Sequence, residues 1–127
     1  MNLVDSCGWL EYFAAGPNAG FFADPIEDAG KLIVPTICIL EVFKRILQQH
    51  GRDQALQAVA AMQEGRVVEL DSTIALEAAR IGLELRLPLA DSVILATAQA
   101  HQAVVWTQDA HFENKKGVRF VKRILGS

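Results

Sequence analysis

Four carboxylates stand inside or directly after the most apolar runs of this chain, and no other feature limits its folding more. Asp5 closes Asn2-Leu3-Val4, and Asp109 follows Ala103-Val104-Val105-Trp106-Thr107-Gln108. Glu41 separates Ile37-Cys38-Ile39-Leu40 from Val42-Phe43, and Asp91 separates Leu87-Pro88-Leu89-Ala90 from Ser92-Val93-Ile94-Leu95. A lone buried carboxylate costs several kcal/mol or gives up its charge. If the four converge, they need cations.

Hydrophobic periodicity supplies the framework on which they sit. Leu3-Val4 reads as a short buried strand, and Trp9, Leu10 and Phe13 mark one face of a helix from Ser6 to Ala14. Gly16-Pro17 ends it, and a shorter helix is expected from Phe21 to Ala29, weakened by Pro25. Leu32-Ile33-Val34 is a strand, with Pro35 leading into a helix that reaches His50 and stops at Gly51. Arg52 to Met62 continues as a helix, and Val67 to Leu70 is a strand. Asp71 or Ser72 caps a helix to about Arg86, Pro88 ends that segment, and Asp91 to His101 forms the next helix. Val104-Val105-Trp106 and Val118 to Ile124 complete the strands.

Strands alternating with helices predict an α/β fold, with a central, mostly parallel sheet covered by helices on both faces. The chain of 127 residues, without repeats or a linker, is expected to form one domain spanning 1–127. Ligands of such sheets lie beyond the carboxyl ends of the strands. Asp5 and Asp109 each follow a strand, Glu41 rides the helix leaving the second strand, and Asp91 opens a helix. All four can therefore reach one rim.

Each acid also has a local explanation. Asp5 and Asp91 could be helix caps, and Asp109 a turn residue in Thr107-Gln108-Asp109-Ala110. Glu41 resists this treatment, because it sits mid-helix among apolar neighbours. Glu27, Asp53, Glu64, Glu77 and Glu84 are expected to face water.

Composition narrows the classes. The net charge of -3 argues against broad nucleic-acid affinity, but basic residues cluster at Lys44, Arg45 and Arg52, and again at Lys115, Lys116, Arg119, Lys122 and Arg123. Such patches hold phosphates beside an acidic site or are simply solvated. Cys7 and Cys38 read as small buried residues of a reducing compartment, and no Cys or His pair has zinc spacing. Trp9 and Trp106 read as core. No apolar run approaches the ~20 residues of a membrane span, and the N-terminus lacks the basic start of a signal peptide. A cytoplasmic location is expected. Hydrophobic residues at 51% and a mean hydropathy of +0.21 fit either a full core or a partner interface that includes Phe21 and Phe22.

Val4-Asp5-Ser6, Glu41, Leu87-Pro88-Leu89-Ala90-Asp91 with Ile94-Leu95-Ala96-Thr97-Ala98, and Trp106-Thr107-Gln108-Asp109-Ala110-His111-Phe112 together resemble the PIN-domain ribonucleases. Within that family the likeness is to the VapC toxins of bacterial toxin–antitoxin pairs, and it runs from Asp5 to Phe112. The resemblance implies a metal-dependent endoribonuclease in which Asp5, Glu41, Asp91 and Asp109 bind Mg2+ or Mn2+. Thr107 and Ser6 match the hydroxyl residues that hydrogen-bond waters or those carboxylates. It further implies an RNA substrate, either tRNA or rRNA, a homodimer, and a small VapB-like antitoxin covering the cleft. Lys44, Arg45, Lys115, Lys116 and Arg119 would track the phosphates.

The chain departs from the family twice. His111 stands where a further acid is common, which leaves a fifth metal contact in doubt. Cys7 replaces a common hydroxyl residue and is expected to alter packing only. The donor set suits the chemistry, since phosphodiester cleavage builds charge that hard, oxygen-seeking cations neutralise. A phosphoreceiver would need an acidic pair after the first strand and an Asp at a middle strand end, and neither is present. Haloacid-dehalogenase phosphatases need an Asp where Cys7 stands. A degenerate, non-catalytic module for RNA or protein binding is the remaining alternative, against which the four intact acids argue.

Overall fold

The computed structural model describes residues 1–125; Gly126 and Ser127, the end of the expected 1–127 span, lie outside the described residues. The strands are β1 (Asn2–Val4), β2 (Leu32–Pro35), β3 (Arg66–Val68), β4 (Val104–Thr107) and β5 (Val118–Phe120). The helices are α1 (Ser6–Phe13), α2 (Ala19–Ile26), α3 (Thr36–His50), α4 (Arg52–Met62), α5 (Ser72–Leu85) and α6 (Leu89–Ala100). Short 3-10 turns precede β2 and follow β4.

The strands form one sheet in the order β3-β2-β1-β4-β5. Every pairing is parallel, with Leu3 opposite both Ile33 and Val105, so the expected mostly parallel sheet is wholly parallel among the described residues. All four residues of β2 are buried, as a strand covered on both faces requires. Two crossovers, through α1–α2 and α3–α4, carry the chain outward from β1 to β3; the third, through α5–α6, carries it back to β4. With right-handed crossovers, the outward and returning helices occupy opposite faces. Leu3, Val4, Ile33, Val34 and Val105 are fully buried between them, alongside Phe22, Val42, Ile94 and Phe112.

Local chemistry explains the boundaries. Gly51 ends α3 in a left-handed conformation, φ +87°, that a β-carbon would strain. Asp71 caps α5 by accepting from the Ile74 N–H at 2.9 Å. Gly8 lets α1 lie close on β1 and α2: a β-carbon there would sit 2.5 Å from the Phe22 ring and 2.7 Å from Val4 Cγ1.

Several boundaries differ from the sequence expectation. The second helix runs Ala19–Ile26 rather than Phe21 to Ala29. Pro25 falls in its last turn, and the buried Asn18 fixes its start through hydrogen bonds to Gln108 and the Lys122 carbonyl. The third strand is Arg66–Val68, not Val67 to Leu70, and the last ends at Phe120 rather than Ile124. Beyond Phe120 the Val121 N–H still donates to the Thr107 carbonyl at 3.0 Å, and the Lys122 carbonyl then accepts from Asn18 at 3.1 Å instead of continuing the ladder. Both tryptophans are buried, as expected, and Trp106 also carries the Arg119 guanidinium 4.3 Å from its ring centroid.

Candidate active site

The chain leaves β1 towards β2 and leaves β4 towards β5, in opposite directions across the sheet. The two adjacent strands thus diverge at their carboxyl ends, where parallel sheets open a crevice. Asp5 directly follows β1, and Asp109 follows β4 by two residues. Both line one cleft of about 1600 Å³ together with Ser6, Cys7, Glu41 and Asp91. That volume exceeds the ~300–1,000 Å³ of ordinary small-molecule pockets and suits a segment of polymer.

Asp5 is buried and held from three directions. Its Oδ1 accepts from the Ser6 N–H at 2.7 Å, and its Oδ2 accepts from the Thr107 hydroxyl at 2.7 Å and the Cys7 thiol at 3.4 Å. The Thr107 hydroxyl also accepts from the Asp109 N–H at 2.9 Å, tying the two strand ends together. Glu41 reaches the same place from α3, where it accepts from the Ser6 hydroxyl at 2.6 Å. Asp5 does cap α1, so its local reading and its place in the cleft are both true.

Cys7 corrects the expectation that it affects packing alone. Its sulfur contacts both Asp5 Oδ2 and Thr107 Oγ1, the latter at 3.5 Å. Burial, reinforced by the Asp5 charge, pushes the thiol up to about 12, so it remains a protonated donor. The signal was legible in its spacing two residues after Asp5, but which way the side chain turns was not.

Asp91 also departs from its local reading. It is not a cap, because Pro88 occupies that position and Asp91 lies in the first turn of α6. There the helix dipole favours an acid. Across from it, Asp109 accepts from the His111 N–H at 2.9 Å. The His111 imidazole folds back so that Nδ1 lies 2.8 Å from Asp109 Oδ1 and 3.2 Å from Asp91 Oδ2. The sequence marked His111 as a departure without indicating that it joins the two acids.

The electrostatics show why this rim suits a cation. Burial raises the Asp5 carboxyl above its ordinary value despite its hydrogen bonds, and the Asp109 charge adds to the rise. Burial, then the charges of Asp109, Asp5 and Glu41, lifts Asp91 to about 7, with His111 opposing. Among the described residues no Lys or Arg pairs with any of the four acids; the Arg80 ion pairs lie on α5. A crowded set of carboxylates short of positive charge fits a divalent cation, and Asp91, Asp109 and His111 alone bring three donor atoms within 4.8 Å of one another.

The basic residues divide. Lys44 and Arg45 line the cleft beside Glu41, as does Arg123, which had been placed only among a general basic tail. Lys115 and Lys116 precede β5 and therefore lie towards the amino ends of the strands, away from the crevice, while Arg119 covers Trp106. The grouping of these three with the acidic rim is corrected accordingly. A run of sequence after β4 must return across the sheet before β5 can pair in parallel.

A five-stranded parallel sheet with clustered acids where the connections from its central strands part defines an α/β domain with an acidic crevice. The PIN domain family model matches residues 3–118, and the chain belongs to that family. No curated protein matches in sequence. The fold is similar to a toxin–antitoxin complex from Klebsiella pneumoniae (TM-score 0.81, 22% identity, 94% of this chain and 96% of that one). It is also similar to a sarcin-ricin-loop-cleaving VapC toxin from Mycobacterium tuberculosis (TM-score 0.75, 14% identity, 91% and 95%). A third likeness is to DNA-bound VapBC from Salmonella typhimurium (TM-score 0.73, 17% identity, 96% and 98%). The fold is thus the one VapC toxins adopt.

Proposed function

We propose that this protein is a Mg2+- or Mn2+-dependent endoribonuclease and acts as the toxin of a VapBC-type pair. The observation that carries the reading is the gathering of Asp5, Glu41, Asp91 and Asp109 on one cleft with, among the described residues, no Lys or Arg ion pair to any of them. Asp5, Glu41, Asp91 and Asp109 would hold the cation, which when bound supplies Lewis acidity to the scissile phosphate and a water of lowered pKa. Ser6 and Thr107 fix the directions of Glu41 and Asp5 through hydrogen bonds that a charged oxygen strengthens. Lys44, Arg45 and Arg123 line the cleft, where an RNA backbone entering it would meet them.

The neighbours support a reading of the partner. Toxin–antitoxin complexes share this fold, so a small VapB-like antitoxin is the proposed inhibitor, with tRNA or rRNA the proposed substrate and a homodimer the proposed assembly. Exposed leucines at Leu40, Leu47 and Leu56 on α3 and α4, of which Leu40 lines the cleft, offer apolar surface for such a partner. No described helix is long and apolar enough to cross a membrane. The cytoplasm is the proposed site of action.

The test is cleavage of total RNA by the purified full chain, with and without a chelator, followed by mapping of the new ends. The expected result is cleavage that needs added Mg2+ or Mn2+ and disappears in Asp5→Asn. Metal-independent cleavage, or full activity in that variant, would overturn the assignment.

A further inference from the structure

We infer that His111 is an imidazole ligand of the bound cation and turns the Asp91–Asp109 end of the cleft from magnesium towards manganese; this rests on the nuclease reading. The donor atoms of Asp91, Asp109 and His111 all lie within 4.8 Å of one another, a spread that one ion can bridge. They come from two separate elements, the first turn of α6 and the 3-10 turn Ala110–Phe112 with its capping residue Asp109. The His111 N–H bond to Asp109 Oδ1 locks that turn, so imidazole and carboxylate two residues apart face the same point. The imidazole has its ring nitrogen aimed at both acids while more than half of the side chain stays open to solvent. An ion can therefore enter without unpacking the core.

The chemistry of the donor sets the preference. Mg2+ is hard, demands oxygen and sheds water reluctantly. An imidazole nitrogen strengthens binding of first-row transition ions, of which Mn2+ still accepts the surrounding carboxylates. An oxygen donor at position 111 would leave the site without this bias. The competing role for His111 is a fixed hydrogen-bond donor that a metal must displace, and the two roles predict opposite effects of its removal.

Mn2+ titrated into the full chain and observed by pulsed electron paramagnetic resonance reads the ligand directly. The expected result is modulation from a directly bound nitrogen in the wild type, absent in His111→Ala although His50 and His101 remain. Competition calorimetry should show the preference for Mn2+ over Mg2+ falling by roughly tenfold in His111→Asp. No nitrogen signal in the wild type, a signal that survives in His111→Ala, or an unchanged preference in His111→Asp overturns the proposal. Tighter Mn2+ binding by His111→Ala also overturns it, in favour of the displaced donor. RNA cleavage without nitrogen ligation defeats this inference and leaves the nuclease reading intact. Nitrogen-ligated Mn2+ without any RNA cleavage does the reverse.

Discussion

The two ends of the acidic rim are held in different ways. Asp5 is buried under neutral donors, receiving a backbone N–H, a hydroxyl and a thiol, so its direction is set before any cation arrives. Asp91 and Asp109 share only the imidazole of His111 as a common side-chain partner, and the Asp91 carboxyl is lifted to about 7. One end is preorganised and the other is left electrostatically unsatisfied. Substitutions should therefore act on ligand direction at the first and on charge at the second.

The largest effect belongs to the preorganised end. Asp5→Asn keeps the shape and one oxygen acceptor but removes the charge, and should lower the RNA cleavage rate by ~100-fold or more, measured as initial rates at saturating metal. A smaller loss than in Asp109→Asn would break the contrast between the two ends. Thr107→Val removes the hydroxyl that joins Asp5 to the Asp109 backbone. It should weaken metal binding by roughly 10–100-fold in calorimetry, with the fold retained. Unaltered affinity would mean that Asp5 needs no such support.

The basic residues sharpen the comparison further. Replacing Lys44 and Arg45 with Ala should flatten the slope of log binding constant against log salt by about 1.4 for single-stranded RNA. The same change at Lys115 and Lys116, placed away from the crevice, should leave the slope unaltered. Equal effects from both pairs would place RNA across the whole sheet rather than in the cleft.

The smallest effect is on stability. Asp91 has a folded value of about 7 against an ordinary 3.8, so the native state binds its proton more tightly than the unfolded chain does. This contribution to stability is complete below the ordinary value and is lost as pH rises through about 7. The Tm of metal-free wild type should therefore decline relative to Asp91→Asn as pH climbs from about 5 to about 8. Mn2+ should offset the decline, because it binds the deprotonated acids. Parallel pH profiles for the two metal-free proteins would show that Asp91 carries no such strain.

Much of this was readable along the chain. Gly51, Asp71 and the apolar runs bound their elements close to where periodicity and capping put them, because those signals act between near neighbours. The acids were legible for the same reason: Asp5 and Asp109 follow apolar strands, and Glu41 has no local excuse. Asp91 was half legible. Its place in the first turn of a helix was evident, but the helix starts at Leu89, two residues earlier than expected, with Pro88 rather than Asp91 at the cap. The start of α2 was missed because Asn18 is held by Gln108 and by the Lys122 carbonyl, both remote in sequence.

What the sequence determined alone is the alternation of strands and helices and the placing of carboxylates where strands end, since both follow from short-range periodicity. Tertiary structure decided the partnerships: Ser6 with Glu41 across 35 positions, Thr107 with Asp5 across 102, and His111 between two acids. It also separated Lys44 and Arg45 from Lys115 and Lys116, which composition alone cannot tell apart. The reason is strand order. Placing β4 beside β1 is a choice made by the packing of the whole sheet, and every contact across the crevice is inherited from it.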